Sequence, residues 1–214
     1  VFMQPDLGTS LVYIAIFVGM LFVSGIRLRL VRIIATVGVL LMPLAWFVLK
    51  DYQKQRILVF MNPDIDPFGS GYHIIQSKIA IGSGTIFGKG LFNGTQSQLN
   101  FLPENHTDFI FSVIGEELGF IGCIFVLILL FMLIYRSIKV AYSCNDRFGM
   151  LLATGIGSML CFEVLVNAGM TMGIMPVTGI PLPFISYGVS ALTTNMISVG
   201  ILLNISMQRK KYIF

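Results

Sequence analysis

FLPENHTDFIFSVIGEELG, residues 101–119, sets four acids and one histidine (Glu104, His106, Asp108, Glu116 and Glu117) at the mouth of a long apolar segment. Pro103 and the short polar side chains ahead of Phe109 have the composition of a helix start, which predicts Thr107 as the cap and Asp108 in the first turn. If helical geometry reaches back to residue 104, Glu104 and Asp108 share a face. Glu116 and Glu117 then fall about two turns further along, ~12 Å deeper at ~1.5 Å per residue. An acid at that depth is an ordinary group in water and a costly one in lipid, so the surroundings decide its meaning.

The rest of the chain points to lipid. Of 214 residues, 56% are hydrophobic and only 11% charged, with 18 Phe and 12 Met, and the mean hydropathy is +0.86. Soluble domains do not carry that balance. Uncharged runs near the ~20 residues that cross a bilayer recur to the last ten positions. They predict an all-α integral membrane protein, a polytopic helical bundle with spans near 7–26, 31–49, 108–135, 148–168 and 188–207. The opening VFMQPDLG lies close to the first run, so the chain reads as a piece of a longer protein, and no signal-peptide pattern precedes it. The connections at 27–32 and 136–147 and the tail at 208–211 hold nine of the 14 Lys and Arg, which makes that side cytoplasmic. The 50–107 region and the 169–187 connection are then extracytoplasmic. Lys50, Lys54 and Arg56 run against the rule and suggest an anionic headgroup or anionic substrate nearby.

The 50–107 region is more than a linker. Ile74, Ile75, Ile79 and Ile81 predict an amphipathic or partly inserted helix. Glycines at 84, 88, 90 and 94 permit close backbone approaches, although turns in an exposed loop would use them equally well. The basic residues form no stripe and do not alternate with exposed aromatics, which excludes a nucleic-acid surface. Cys123, Cys144 and Cys161 have neither metal spacing nor an even count and read as isolated thiols.

Two readings are open at residues 104–108: a helix cap with headgroup-facing neighbours, or a carboxylate presented to a polar ligand. An ionised Asp108 can accept a proton as general base or hold a metal ion, whereas an acid role needs its pKa strongly raised. The clustering with Glu116 and Glu117 favours the functional reading. His73 and His106 lie in neither HExxH nor a ligand triplet, which argues against zinc, and Ser186 in FISYG has no histidine beside it. Glu163, alone inside the 148–168 span, reads first as a structural carboxylate paired across the bundle and second as a relay.

QPDLG at 4–8, NPDIDPFGSGYHIIQSKIAIGSG, GKGLFNGTQSQLNFLPENHTDFIFSVIGEELG and GIMPVTGIPLPFISYGVS together resemble the SEDS family (RodA, FtsW and SpoVE), closest to RodA. The resemblance covers essentially the whole chain and looks like the C-terminal half of a roughly ten-span protein. It implies a peptidoglycan glycosyltransferase that polymerises lipid II at the outer face of the bacterial cytoplasmic membrane. The family's catalytic carboxylate falls on Asp108. Glu104, His106, Thr107 and Glu116 fall on supporting positions, and Glu117 completes the paired glutamates. Lys54, Arg56, Lys78 and Lys89 are assigned from sign and side to the diphosphate. Gln76, Gln96 and Gln98 are assigned to sugar contacts, and Ser186 and Tyr187 to closing the cleft. A divalent cation (Mg or Mn) is a possible cofactor, and a class B penicillin-binding transpeptidase with other elongation-complex membrane proteins the implied partners. A lipid II transporter and a non-catalytic scaffold are the rival functions. The chain departs from the family pattern at Thr85, where a third glycine is common, and at Val189, where the family usually reads GGS; both imply altered packing rather than altered chemistry.

Overall fold

The computed structural model describes residues 7–26, 50–67, 69–99, 101, 102 and 104–208, with isolated positions between 29 and 47. The predicted span 31–49 lies for the most part outside the described residues, as do Pro103 and the tail from 209. Among the described residues the structure is all helical: α1 (Leu7–Val23), α2 (Asp51–Met61), a 3-10 turn (Pro63–Ile65), α3 (Ser70–Ser83), α4 (Thr95–Gln98), α5 (Ile110–Tyr142), α6 (Arg147–Thr171) and α7 (Val189–Met207).

Three of these, α5, α6 and α7, are long and apolar enough to cross a membrane, and α1 is a shorter apolar helix. The antiparallel α5–α6 hairpin turns at residues 143–146, where Asp146 caps α6 by accepting a hydrogen bond from the Gly149 amide at 2.9 Å. α1 packs on α6, α3 on α5, and α7 closes against both α5 and α6. Phe111, Leu130, Ile134, Ile156, Leu160, Val164 and Leu202 form the shared core. Phe120, Phe125, Phe131 and Phe148 point outward and are more than half exposed, as a lipid-facing surface requires.

The predicted amphipathic helix at 74–81 is present as α3, one turn longer at its N-terminus. It buries Ile74, Ser77 and Ala80. Ser77 Oγ donates to the Thr171 carbonyl at 2.6 Å, so the 2.6 Å contact with Ser112 Oγ is a hydrogen bond donated by Ser112. A polar seam thus ties α3 to both long helices. The helix at 51–61 was not expected, because its sequence DYQKQRILVFM lacks a clear apolar stripe.

The start of α5 corrects the capping expectation. The helix begins at Ile110, with Phe109 at the N-cap position and no side-chain cap. Residues 104–109 form turns, and the Thr107 hydroxyl donates back to the Glu104 carbonyl and to its carboxylate, at 3.3 and 3.0 Å. Glu104 itself adopts a left-handed backbone (φ 52°) and its carbonyl accepts from the amides of both Thr107 and Phe109. That knot takes the place of a cap.

α5 also breaks. Gly119 has φ 67° and ψ −165°, far from helical values. In an uninterrupted helix the Phe120 and Ile121 amides would donate to the Glu116 and Glu117 carbonyls. Here they donate to the Thr85 and Ile86 carbonyls at 3.0 and 3.2 Å, while the orphaned Glu116 and Glu117 carbonyls accept from the Lys89 and Gly90 amides at 3.0 Å each. Loop 85–90 therefore supplies a partner to each of the two amides and two carbonyls that the break frees, the condition for irregular backbone within an apolar helix. A Cβ at Gly88 would lie 2.2 Å from the Glu117 carbonyl oxygen, and one at Gly119 2.3 Å from the Gly88 nitrogen. Both also have positive φ, so only glycine fits the two facing positions.

Candidate active site

Asp108 sits in the last turn before α5, half-buried, where three segments converge. From behind, Asn167 of α6 donates from Nδ2 to the Asp108 carbonyl at 2.9 Å and to the Ile180 carbonyl at 2.7 Å. From one side the 172–188 connection is bound to the 106–108 turns. Tyr187 donates its amide to the His106 carbonyl at 2.8 Å, and Ser186 Oγ donates to the Thr107 carbonyl at 2.7 Å while accepting from the Leu182 amide. Gly179 approaches closely enough that a Cβ there would lie 3.4 Å from Asp108 Oδ2. From the other side come α2 and α3. Arg56 donates to the Thr178 carbonyl at 3.4 Å, and His73 stacks on Phe109, ring centroids 5.8 Å apart and planes 22° from parallel.

Burial raises the Asp108 pKa above its ordinary value of 3.8, and the nearby Glu104 charge raises it further; Arg56 and His73 act in the opposite direction. A half-buried carboxylate so placed is a stronger base than a free one.

The other predicted residues separate into two groups. His106 and Tyr187, both exposed, line a surface cleft of about 360 Å³ with Ile110 and Ile185 beside the Asp108 turn. Arg56 and Lys54 lie two residues apart on α2, both half-buried. Gln76 is one turn beyond His73 on α3. By contrast, Glu116 is fully buried. Its carboxylate accepts from Lys89 Nζ and the Gln96 amide, both at 2.9 Å, from the Ser97 amide at 3.0 Å and from the Thr95 hydroxyl at 3.2 Å. Lys89 and Glu116 form the ion pair found among the described residues. Lys89 is thus engaged by a protein carboxylate, and Gln98 reaches Glu117 at 3.4 Å. Gln96 is half-buried, and its side-chain oxygen has no hydrogen-bond partner. Lys78 is exposed and its stem packs over Gly173. Val189 is 75% exposed at the start of α7, which accounts for its tolerance of a side chain.

His73 carried no local signal in the sequence: 35 residues separate it from Asp108, and only the packing of α3 on α5 brings the two together. Glu163 has no ion-pair partner among the described residues. It lines a cavity of about 420 Å³ between α1, α6, α7 and the 179–181 segment, with Tyr13, Thr194 and Asn195. Among the described residues, then, the expected pairing across the bundle is not observed. No group of three or more His, Cys, Asp or Glu among the described residues could cage a metal.

The FtsW/RodA/SpoVE family, described as cell cycle proteins, matches residues 1–211. The chain is 49% identical over 208 residues to peptidoglycan glycosyltransferase MrdB of Escherichia coli, covering 97% of this chain and 56% of the relative. It is 44% identical over 204 residues to stage V sporulation protein E of Bacillus subtilis, covering 95% and 55%. A solved peptidoglycan synthase complex that coordinates polymerization and crosslinking contains a similar chain, with a TM-score of 0.78 at 34% identity over 98% of this chain and 58% of that one. A RodA aspartate-to-alanine variant from Thermus thermophilus superposes with a TM-score of 0.62 at 31% identity, covering 97% and 52%. The chain spans about half the length of the curated relatives it matches.

Proposed function

This chain belongs to the FtsW/RodA/SpoVE family, and on that premise we propose that it is the site-bearing half of a peptidoglycan glycosyltransferase. The observation that carries the proposal is Asp108: one carboxylate, half-buried and raised in basicity, set at the end of a membrane-length helix beside an open cleft. A lipid-linked disaccharide keeps its sugars in water and its tail in the bilayer, and Asp108 lies where those two regions meet.

In the proposed reaction Asp108 takes the proton from the C4 hydroxyl of the acceptor GlcNAc as that oxygen attacks the anomeric carbon of the donor MurNAc. The C4 oxygen–carbon bond forms, the bond to undecaprenyl diphosphate breaks on the opposite face, and the anomeric configuration inverts. The leaving diphosphate is already acidic, so fixed positive charge serves better than a general acid. Arg56 supplies that charge nearest to Asp108, with Lys54 beside it on α2; Lys89 is committed to Glu116. Glu104 raises the basicity of Asp108 and shapes its turn. A divalent cation at this site would draw on Asp108 and Glu104 as its protein oxygens. The five-span arrangement, the extracytoplasmic position of residues 50–107 and 169–187, a closest kinship with RodA, and a class B penicillin-binding transpeptidase as partner belong to the same proposal. The likeness to a chain of a peptidoglycan synthase complex supports the last of these.

The test is polymerisation of purified lipid II by the full-length protein with its transpeptidase, Asp108 against Asp108→Asn, with and without added or chelated divalent cation. Loss of product in the Asn variant, with lipid II binding retained, is expected. Full-rate polymer from the Asn variant would refute the base assignment.

A further inference from the structure

The imidazole of His73 is held in place at one edge and open at the other. Its ring is stacked on Phe109, the residue next to Asp108, and Tyr72 meets it edge-on at 6.4 Å. Nδ1 is buried and has no hydrogen-bond partner among the described residues, whereas Nε2 is not sealed in this way. A neutral imidazole has one donor and one acceptor nitrogen, and the tautomer must be inferred from the surroundings. Buried orphaned N–H groups are rarer than under-satisfied acceptors, so the proton belongs on Nε2 and the open edge is a donor. Gln76, three residues on and half-buried, extends the same face of α3. His73 is also near enough to influence Asp108 electrostatically, which places the two groups in one neighbourhood.

We propose that His73 is a substrate-binding residue of this site, its Nε2–H donating to an oxygen of the acceptor sugar while Asp108 accepts from the attacking hydroxyl. The inference rests on the glycosyltransferase reading. It gives the site a donor and an acceptor side by side, the pair needed to fix the direction of a hydroxyl that both donates and accepts. No covalent step involves His73.

Steady-state polymerisation of lipid II by the full-length protein is measured for the native enzyme, His73→Phe, which keeps the stack and lacks the donor, and His73→Gln, which returns an amide donor near the Nε2 position. KM is expected to rise about tenfold in the Phe variant with a smaller change in kcat, the loss of one hydrogen bond, and to recover to within about threefold in the Gln variant. A Phe variant within twofold of native in KM, or a Gln variant as impaired as Phe at an unchanged melting temperature, would overturn the assignment. His73→Met replaces the Phe variant if that protein melts early. Failure of the polymerase reading shows separately, as an inactive native enzyme or an active Asp108→Asn. In that event lipid II binding to native and His73→Phe protein decides the point, and an unchanged Kd counts against His73.

Discussion

Replacing Glu116 by Gln should release the loop that fills the break in α5. The native carboxylate is fully buried and receives four donors, three of them on Oε1 and the Ser97 amide on Oε2. A glutamine retains one acceptor oxygen. If that oxygen takes the Oε1 place, the Ser97 amide meets an NH2 group and loses its bond; in the other orientation three donors lose theirs. Lys89 loses its counter-ion in either case. Removing one partner of a buried pair costs ~3–5 kcal/mol. Because the Lys89 side chain is 27% exposed, the lower end applies, about 3 kcal/mol, and about a hundredfold rise in the open-loop population follows at ~1.4 kcal/mol per tenfold. Hydrogen exchange in nanodiscs reads this directly: protection of the Gln96 and Ser97 amides should fall by about two orders of magnitude while the α6 core amides hold. Lys89→Met should do less, since three donors still satisfy Glu116, and the double variant should be less than additive by at least ~1 kcal/mol. Exchange at residues 95–98 that is unchanged in Glu116→Gln would refute the latch.

Four further outcomes are expected. Because the folded-state pKa of Asp108 is raised, the protein binds more protons folded than unfolded in the window between the two values, so this group's contribution to stability falls as pH rises through it. Asp108→Asn should therefore melt slightly higher than native at neutral pH and equally at a pH below the unfolded value, as a thermal scan at both pH values will show, while losing polymerisation. The acidic limb of the native pH–rate profile should be shifted upward from that of an ordinary aspartate, and Arg56→Gln should move it higher still, because Arg56 holds the Asp108 pKa down. Ser186→Ala leaves the Leu182 amide and the Thr107 carbonyl without their partner and should cost ~1–3 kcal/mol by denaturation, with kcat falling as the Asp108 turn loosens. Thr85 has φ 51°, an uncommon place for a β-branched residue, so Thr85→Gly should raise stability by up to ~1 kcal/mol on a melting curve.

The three membrane-length helices and the acids crowded at the end of one of them were legible in the sequence because both depend on local composition, as long uncharged runs and as charged residues set beside one of those runs. Resemblance supplied the choice among the acids, singling out Asp108, and geometry then separated it from Glu116. What the sequence could not convey was the break at Gly119. EELGFIG is compatible with an unbroken apolar helix, and its interruption is stable only because a loop some thirty residues earlier supplies two carbonyls and two amides in matching register. The same non-locality hid His73 and the Ser186 contact with Thr107. Thr107 was misplaced as a cap for a related reason: its hydroxyl finds a nearer partner in the left-handed Glu104 knot than in the helix it precedes.

The break also links the latch to the proposed base. Ser97, whose amide is held by Glu116, presents its carbonyl to Asn105 Nδ2 at 3.0 Å, and Gln96 presents its carbonyl to the Leu102 amide at 3.2 Å. Asn105 is buried and lies three residues from Asp108. The buried carboxylate in the helix thus fixes the short α4 segment, α4 holds Leu102 and Asn105, and the turns at 104–109 aim Asp108. On this path Glu116 is a positioning residue, and it predicts a particular kinetic signature for Glu116→Gln. The Asp108 turn is loosened rather than removed, so kcat should fall by more than KM rises. Removal of the four-donor latch without that asymmetry, with KM alone affected, would mean that the 95–105 segment binds substrate itself and does not merely hold the base in place.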